Sequence, residues 1–438
     1  MNSLTRRPGV LSWCLYDFAN SAFTTLVVTF IYSTYFSKAI AENEIAGTAY
    51  WSRAIAVCAL VVAFLSPVVG AMADRAGRRK RLLFFSTLLC IVFTAALYAV
   101  QPGQVFLALL CFSVANIAFE MGMVFYNAFL PDIASPHRIG RISGYGWALG
   151  YAGGLICMIL AMVGLVDAEV PWFGFSRDGG EHIRATNLLV ALWFAVFSIP
   201  IFLFVEEKRS YHGSSKKSLM RDSLGQLAAT FRELRKYRQI MRFLLARLFY
   251  NDGLIAIFSF GGIYAAGTFG FTMGEIVKFG IALNVAAGVG AFIMGLIDDR
   301  IGGKGTILLS LCGLTLGTAV ALLGQSKPLF WAAGLCIGFF AGPSQSGSRA
   351  LLGRLIPKDM EGEFYGFFAF SGKATAFLAP FLLGLLTEAF HSQRAGFSVV
   401  LLFFIVGGGI LIGVKETKGP RDRGKRAGSK GPRVPGVE

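Results

Sequence analysis

Long runs of apolar residues, separated by short polar stretches, recur along this 438-residue chain and leave room for little else. A run of about 20 apolar residues is the length of a helix that crosses a bilayer. Counted that way, the sequence predicts twelve spans, near 13–36, 50–72, 82–100, 104–128, 141–165, 186–205, 241–267, 275–297, 305–324, 328–350, 362–388 and 394–415 (spans 1 to 12). The expected fold class is all-α, a polytopic membrane protein of two parallel-repeat six-helix bundles. Composition agrees: 55% of residues are hydrophobic and 15% charged, and mean hydropathy is +0.62, too apolar for a soluble core of this length. The first run exceeds a signal-peptide core and reads as a retained helix.

The net charge of +16 does not point to nucleic acid, because the Lys and Arg sit between apolar runs and not on a soluble face with interleaved aromatics. Most fall at the N-terminus, in the loops after spans 2, 4, 6, 8 and 10, and in the tail. The opposite loops hold Lys38, Arg177, Arg184, Lys327 and Arg394. This asymmetry predicts that both termini are cytoplasmic. The expected organisation is a bundle at 1–205, a cytoplasmic linker at 206–240 with an amphipathic piece from Leu224 to Tyr237, a bundle at 241–415, and a disordered basic tail at 416–438 that touches anionic lipid. The seven cysteines fall inside spans without metal-like pairing and read as small buried hydrophobes. Short external loops and no Asn-x-Ser/Thr acceptor point to a bacterial inner membrane.

Between spans 2 and 3 lies Gly70-Ala71-Met72-Ala73-Asp74-Arg75-Ala76-Gly77-Arg78-Arg79-Lys80-Arg81, and a second copy follows span 8, with Gly295, Asp299, Arg300 and Gly302 matching Gly70, Asp74, Arg75 and Gly77. Tyr16-Asp17 in span 1 answers Tyr250-Asn251 in span 7, and Gly140 and Gly144 answer Gly362 and Gly366. Equivalent spans lie six apart, so the two halves are parallel repeats. Glycine suits the tight bend, and Asp74 can face the positive N-terminal end of a neighbouring helix.

Twelve spans, parallel halves and the Gly-x-x-x-Asp-Arg-x-Gly-Arg-Arg turn after span 2 resemble the major facilitator superfamily across residues 10 to 415. Within it, the stretches Trp13 to Phe23, Tyr126-Asn127-Ala128-Phe129-Leu130-Pro131-Asp132 and Tyr250-Asn251-Asp252-Gly253 look like signatures of the branch related to fungal vacuolar amino-acid effluxers of autophagy. The resemblance implies that Asp74 meets the start of span 11 and closes the cytoplasmic side. Glu361 and Glu363 at that start would repel Asp74, so Arg75 or Arg78 is expected to mediate. The second copy has Gly303 where the first has Arg78 and should form a weaker latch. The resemblance also implies that spans 1, 4, 7 and 10 line a central cavity.

Ionisable groups inside spans are costly and usually face a cavity or one another. Asn116, Glu120, Met123 and Asn127 recur at helical spacing along span 4, and Asp17, Asn20, Ser21 and Thr24 form a similar stripe on span 1. Arg247, Asn251 and Asp252 lie on span 7, Gln345 on span 10 and Lys373 near the middle of span 11. Arg247 is expected to be neutralised by Glu120, Asp252 or Asp17. Mixed carboxylates and cations suit a zwitterion, and proton coupling through Glu120 is an expectation of the same set.

These features predict a monomeric secondary transporter of a small polar or zwitterionic metabolite without a cofactor, with amino-acid export implied by the resemblance. The alternatives are an exporter of lipid-like or amphiphilic molecules and a non-transporting sensor or scaffold. An intramembrane enzyme is disfavoured because the four histidines fall in loops with no metal or nucleophile constellation. No Gly-x-x-x-x-Gly-Lys-Ser/Thr motif is present, so a gradient should supply any energy.

Overall fold

A computed structural model describes residues 6–207, 225 and 236–416. The linker piece Leu224 to Tyr237 and the tail 416–438 therefore lie almost wholly outside the described residues. Among those residues the chain is all-helical, and ten helices are long and apolar enough to cross a membrane. One of these, Met273–Leu323, has 51 residues, two crossings at about 1.5 Å per residue. It folds back at Gly302 and holds spans 8 and 9. Lys327–Leu355 supplies span 10; it is less apolar because Ser344-Gln345-Ser346-Gly347-Ser348-Arg349 occupies its second half. Together these make the twelve crossings. The observed helices outrun the apolar runs, as in Glu44–Ala76 for span 2, because hydropathy measures only the part that meets hydrocarbon.

Several spans depart from a regular α-helix, span 5 by a π-helical end at Met162–Val166. Span 1 is π-helical over Phe23–Phe30 and Phe36–Ile40, a register in which Thr29 Oγ1 donates to Thr24 O at 2.8 Å. Span 11 is two rods, Glu361–Lys373 and Leu378–Ala389, joined by a turn. Some local expectations change as well. His182 is buried in the first turn of Glu181–Phe204 instead of a loop, and Cys312 is exposed.

Buried apolar residues form two clusters. One is drawn from residues 13–205 with Ala350, the other from 240–414 with Ala71, Val124 and Ala128. The main contacts between them gather at the basic end, where the loops rich in Lys and Arg lie. Glu361–Lys373 packs on spans 2 and 4, and span 8 packs on span 5, whereas Leu378–Ala389 packs on spans 7 and 12.

Both contacts use the same spacing of small residues. Ser66 and Gly70 on span 2 meet Gly362 and Gly366 on span 11, and Ala291 and Gly295 on span 8 meet Gly140 and Gly144 on span 5; a Cβ at Gly70 would overlap the carbonyl of Gly362. Small residues four apart let helix backbones touch. That approach brings the exposed amides of one helix start to a carboxylate on its neighbour. Gly362 N–H and Glu363 N–H each donate to Asp74 at 2.9 Å. In the other half Arg141 N–H donates to Asp299 at 3.2 Å and the Arg141 side chain pairs with it.

Among the described residues, the cation that pairs with Glu361 is Arg79, and not Arg75 or Arg78. Arg78 is spent as the residue that opens the next helix, so Arg79 is the first to point back across the turn. It bridges Asp74 and Glu361, both at 2.7 Å, and Asp132 at 3.3 Å. Gly77 and Gly302 both hold positive φ, 57° and 83°, which glycine adopts without strain. The second copy is rebuilt more than degraded: Gly303 makes room for Arg354, which pairs with Asp298 and with Glu416 at 3.6 Å.

Asp74→Asn should weaken contact at the basic end by about 1.5–3 kcal/mol, because an amide nitrogen replaces one acceptor of a backbone N–H. Gly70→Ala should do so by about 1–3 kcal/mol through overpacking, and Asp299→Asn should do less than Asp74→Asn. Spin-label distances between positions 137 and 358, both exposed at this end, should lengthen in the first two variants. An unchanged distribution in both would remove the latch.

Candidate functional site

Above the latches the two halves enclose a cavity of about 330 Å³. Asp17 and Asn20 from span 1, Glu120 and Asn127 from span 4, Arg247 and Asn251 from span 7, Gln345 from span 10 and Lys373 from span 11 line it. Asn116, one turn further from the basic end, and Asp252, on another face of span 7, do not. Apolar surface comes from Phe119, Met123, Val124 and Phe368.

Two ion pairs cross between the halves here. Lys373 Nζ lies 2.6 Å from Glu120 Oε1, with side chains 34% and 18% exposed. Arg349 Nη1 lies 2.9 Å from Asp17 Oδ2, and both are nearly inaccessible. The first pair is open to the cavity and the second is closed into its floor.

Arg349 was absent from the sequence-predicted set, although a lone cation inside span 10, one turn beyond Gln345, was a usable signal. It holds more of the site together than any residue in that set. Its guanidinium donates from Nε to Ser143 Oγ at 2.9 Å, from Nη2 to Ser143 O at 2.8 Å and from Nη1 to Asn127 Oδ1 at 3.4 Å. It also lies 4.5 Å from the Trp13 ring, and Trp13 stacks on Tyr126 at 4.5 Å. Charge, donors and aromatic faces are all matched, which is what makes a buried guanidinium tolerable.

Arg247 meets its expectation only in part: Asp252 and Glu120 lie close enough to act on its charge, yet its hydrogen bonds go elsewhere. None of Glu120, Asp252 and Asp17 accepts a hydrogen bond from it: Glu120 is taken by Lys373 and Asp17 by Arg349. Instead its Nη1 donates to Phe368 O at 2.8 Å and Ser371 Oγ at 3.0 Å, and the guanidinium lies 3.6 Å from the Phe368 ring centre. Phe368 and Ser371 lie toward the C-terminal end of Glu361–Lys373, where helix carbonyls carry partial negative charge. Asn251 donates to Gly372 O at 3.2 Å and accepts from Gln345 at 3.2 Å. Span 7 thus grips span 11 just before its turn.

The arrangement can present a carboxylate, an ammonium and a guanidinium to one small molecule. Among the described residues no group of His, Cys, Asp and Glu is arranged to hold a metal ion.

A family model described as "Vacuole effluxer Atg22 like" matches residues 37–424. The uncharacterized MFS-type transporter YxiO of Bacillus subtilis is 28% identical over 90% of this chain and 92% of its own length. Autophagy-related protein 22 of Kluyveromyces lactis is 22% identical over 83% and 78%. Among solved structures, the major facilitator superfamily transporter FucP in its outward conformation superposes with a TM-score of 0.75 at 15% identity, covering 94% of this chain and all of that one. The human organic anion transporter MFSD10 gives 0.69 at 17% identity, covering 94% and 100%. The fold, the repeated turn and the matched length make this chain a member of the Atg22-like vacuole effluxer family, a branch of the major facilitator superfamily of membrane transporters.

Proposed function

We propose that this transporter works by alternating access and that its cargo is a small zwitterionic metabolite of amino-acid size. The observation that carries the reading is the Glu120–Lys373 pair, two partly exposed charges from opposite halves beside a cavity of about 330 Å³. Partly exposed pairs are weakly held. A zwitterion can offer its ammonium to Glu120 and its carboxylate to Lys373, replacing both partners at once. A lone cation or anion would strand one of them, and an amphiphile would satisfy neither. The apolar wall of Phe119, Met123, Val124 and Phe368 would take a side chain.

The asymmetry of Lys and Arg supports a cytoplasmic basic end and cytoplasmic termini, and the Bacillus relative supports a bacterial membrane. In that placement the latches close the cytoplasmic side and the conformation is outward-facing. Opening the other way requires the two latches and the Asp17–Arg349 floor to part while each six-helix half moves as a body. Amino-acid export is the finer form of the reading favoured by the resemblance to the effluxers.

Free amino acids should stabilise the purified protein against heat, by about 2.7 kcal/mol at a hundredfold excess over Kd, whereas N-acetylated or esterified forms should not. Equal stabilisation by blocked forms would sink the zwitterion reading. Glu120→Gln and Lys373→Met should each lower uptake of a labelled amino-acid mixture into vesicles about 10- to 150-fold, the loss of one charged hydrogen bond.

Arg349→Ala should cost about 3–5 kcal/mol by stranding buried Asp17, and the added change Asp17→Ala should recover part of it. Denaturant titration in detergent measures both, and additive losses would show that the floor pair does not couple the halves.

A further inference from the structure

The π-helical stretches of span 1 decide which side chains share a face. Five residues turn an α-helix by about 500°, which leaves a side chain about 140° away from its predecessor. In π register the fifth residue returns above the first, and Thr29 Oγ1 reaches Thr24 O. The same pattern runs along the helix: Ser21 donates to Asp17 O at 2.8 Å, Thr24 to Ser21 O at 3.1 Å, Ser33 to Thr29 O at 2.8 Å and Ser37 to Ser33 O at 3.1 Å. Each hydroxyl sits one turn beyond the last, so together they form a continuous row.

The row joins two cavities. Ser21 and Thr24 line the central one, while Ser33 and Ser37 line a groove of about 280 Å³ between the ends of spans 1 and 2 remote from the latches. Thr29, between them, is exposed. This face is not one turned to lipid. Within Arg7–Ile40 the exposed large apolar side chains are Leu11 and Phe30, whereas span 2 shows Ile55, Val57, Leu60, Phe64 and Leu65.

The groove repeats the chemistry of the cavity. Lys38 Nζ lies 3.9 Å from Glu44 Oε1, with side chains 63% and 69% exposed, a pair held weakly enough for a ligand to part it. Ser33, Ser37 and Thr48 commit their hydroxyl protons to helix carbonyls, so they have lone pairs to offer and, with Glu44, suit an ammonium. Trp51 borders the groove, is 7% exposed, and its indole N–H is buried without a partner. A buried donor left unmatched is costly, and with Lys38 it suits an oxyanion.

We propose that this groove is a second binding site for the cargo, a vestibule that holds a zwitterion through Glu44, Lys38 and Trp51 and communicates with the cavity along the hydroxyl row of span 1. The inference rests on the zwitterion reading. A cargo leaving Glu120 and Lys373 meets a second carboxylate and a second ammonium at the far end of the row, and the hydroxyl oxygens between replace part of its hydration. The Lys38–Glu44 pair is the more exposed of the two, so the vestibule binds more weakly than the cavity, as a place of loading or release should. A phosphatidylethanolamine headgroup carries the same two charges; the row leading to the cavity favours the free cargo.

Thr48→Cys, in a Cys312→Ala background that removes the exposed cysteine, places a thiol in the groove for a membrane-impermeant maleimide. In phosphatidylglycerol nanodiscs, a free amino-acid mixture at about ten times its Kd for the groove should slow labelling about tenfold, the factor by which empty sites fall. N-acetylated amino acids should not slow it. Lys38→Met should abolish the protection and Glu120→Gln should keep it. Thr29→Val should lower vesicle uptake of the labelled mixture several-fold without altering protection, and unchanged uptake would overturn the row as the route. Protection lost in Glu120→Gln and kept in Lys38→Met would make it an echo of the cavity and overturn the vestibule. Labelling slowed by phosphatidylethanolamine in the disc but indifferent to amino acids would overturn it in favour of a lipid site. Heat stabilisation by amino acids without protection at position 48 overturns the vestibule alone, whereas absence of both overturns the cargo reading and the vestibule with it.

Discussion

The bundle depends on how closely two pairs of helices approach at the basic end. Between apolar helices in lipid there is no hydrophobic drive to associate, so packing and hydrogen bonds must supply the attraction. The pairs Gly70–Gly362 and Gly144–Gly295 remove side chains from the crossing points and let backbones touch. Only at that separation can a carboxylate on one helix reach the free amides at the start of its neighbour. The hydrogen bonds to Asp74 and Asp299 are thus consequences of the glycines, and each adds the attraction of a negative charge to a positive helix end.

The two halves keep the same geometry while redistributing the charge. Glu207 accepts from Lys80 N–H at 3.2 Å, and Glu416 accepts from Lys304 N–H at 3.1 Å, so in both halves a carboxylate beyond the last span caps the start of the third. The cation differs in origin. In the first half Arg79 at the start of span 3 pairs with Asp132 at the end of span 4; in the second, Arg354 at the end of span 10 pairs with Asp298. Loss of the basic residue at Gly303 is matched by a cation gained on the neighbouring helix, because a buried carboxylate there needs a counterion whichever element supplies it.

Glu361–Lys373 links the joint to the cavity. Its N-terminal amides hold Asp74, and its C-terminal end is held by Arg247 and Asn251, with Lys373 reaching Glu120 on the opposite half. A thirteen-residue helix is stiff over this length, so its two ends cannot move independently. The turn beyond Lys373 frees it from the outer rod of span 11. An event in the cavity is thereby transmitted to the latch by a rigid lever, without a chain of small rearrangements.

The sequence by itself determined the number and order of crossings, the duplication and the family, because each rests on local quantities: apolar length, the positions of Gly and Asp in a turn, and short signatures such as Tyr250-Asn251-Asp252-Gly253. It also placed Asp17, Glu120, Arg247 and Lys373 inside spans, where a charge requires a reason. Which charge meets which was decided only by the tertiary structure. Arg247 lies near Asp252 and Glu120 but rests on a helix carbonyl, Ser371 and a ring; Arg79 and not Arg75 or Arg78 spans the latch; Arg349 closes the floor. Pairing depends on the rotation of each helix about its axis and on its depth against its neighbours, and helical spacing fixes the first only relative to its own sequence. A residue such as Asp252 reads as part of a polar cluster in one dimension. The packing of spans 7 and 11 alone decides that it faces away from the cavity, toward Thr375 in the turn that interrupts span 11.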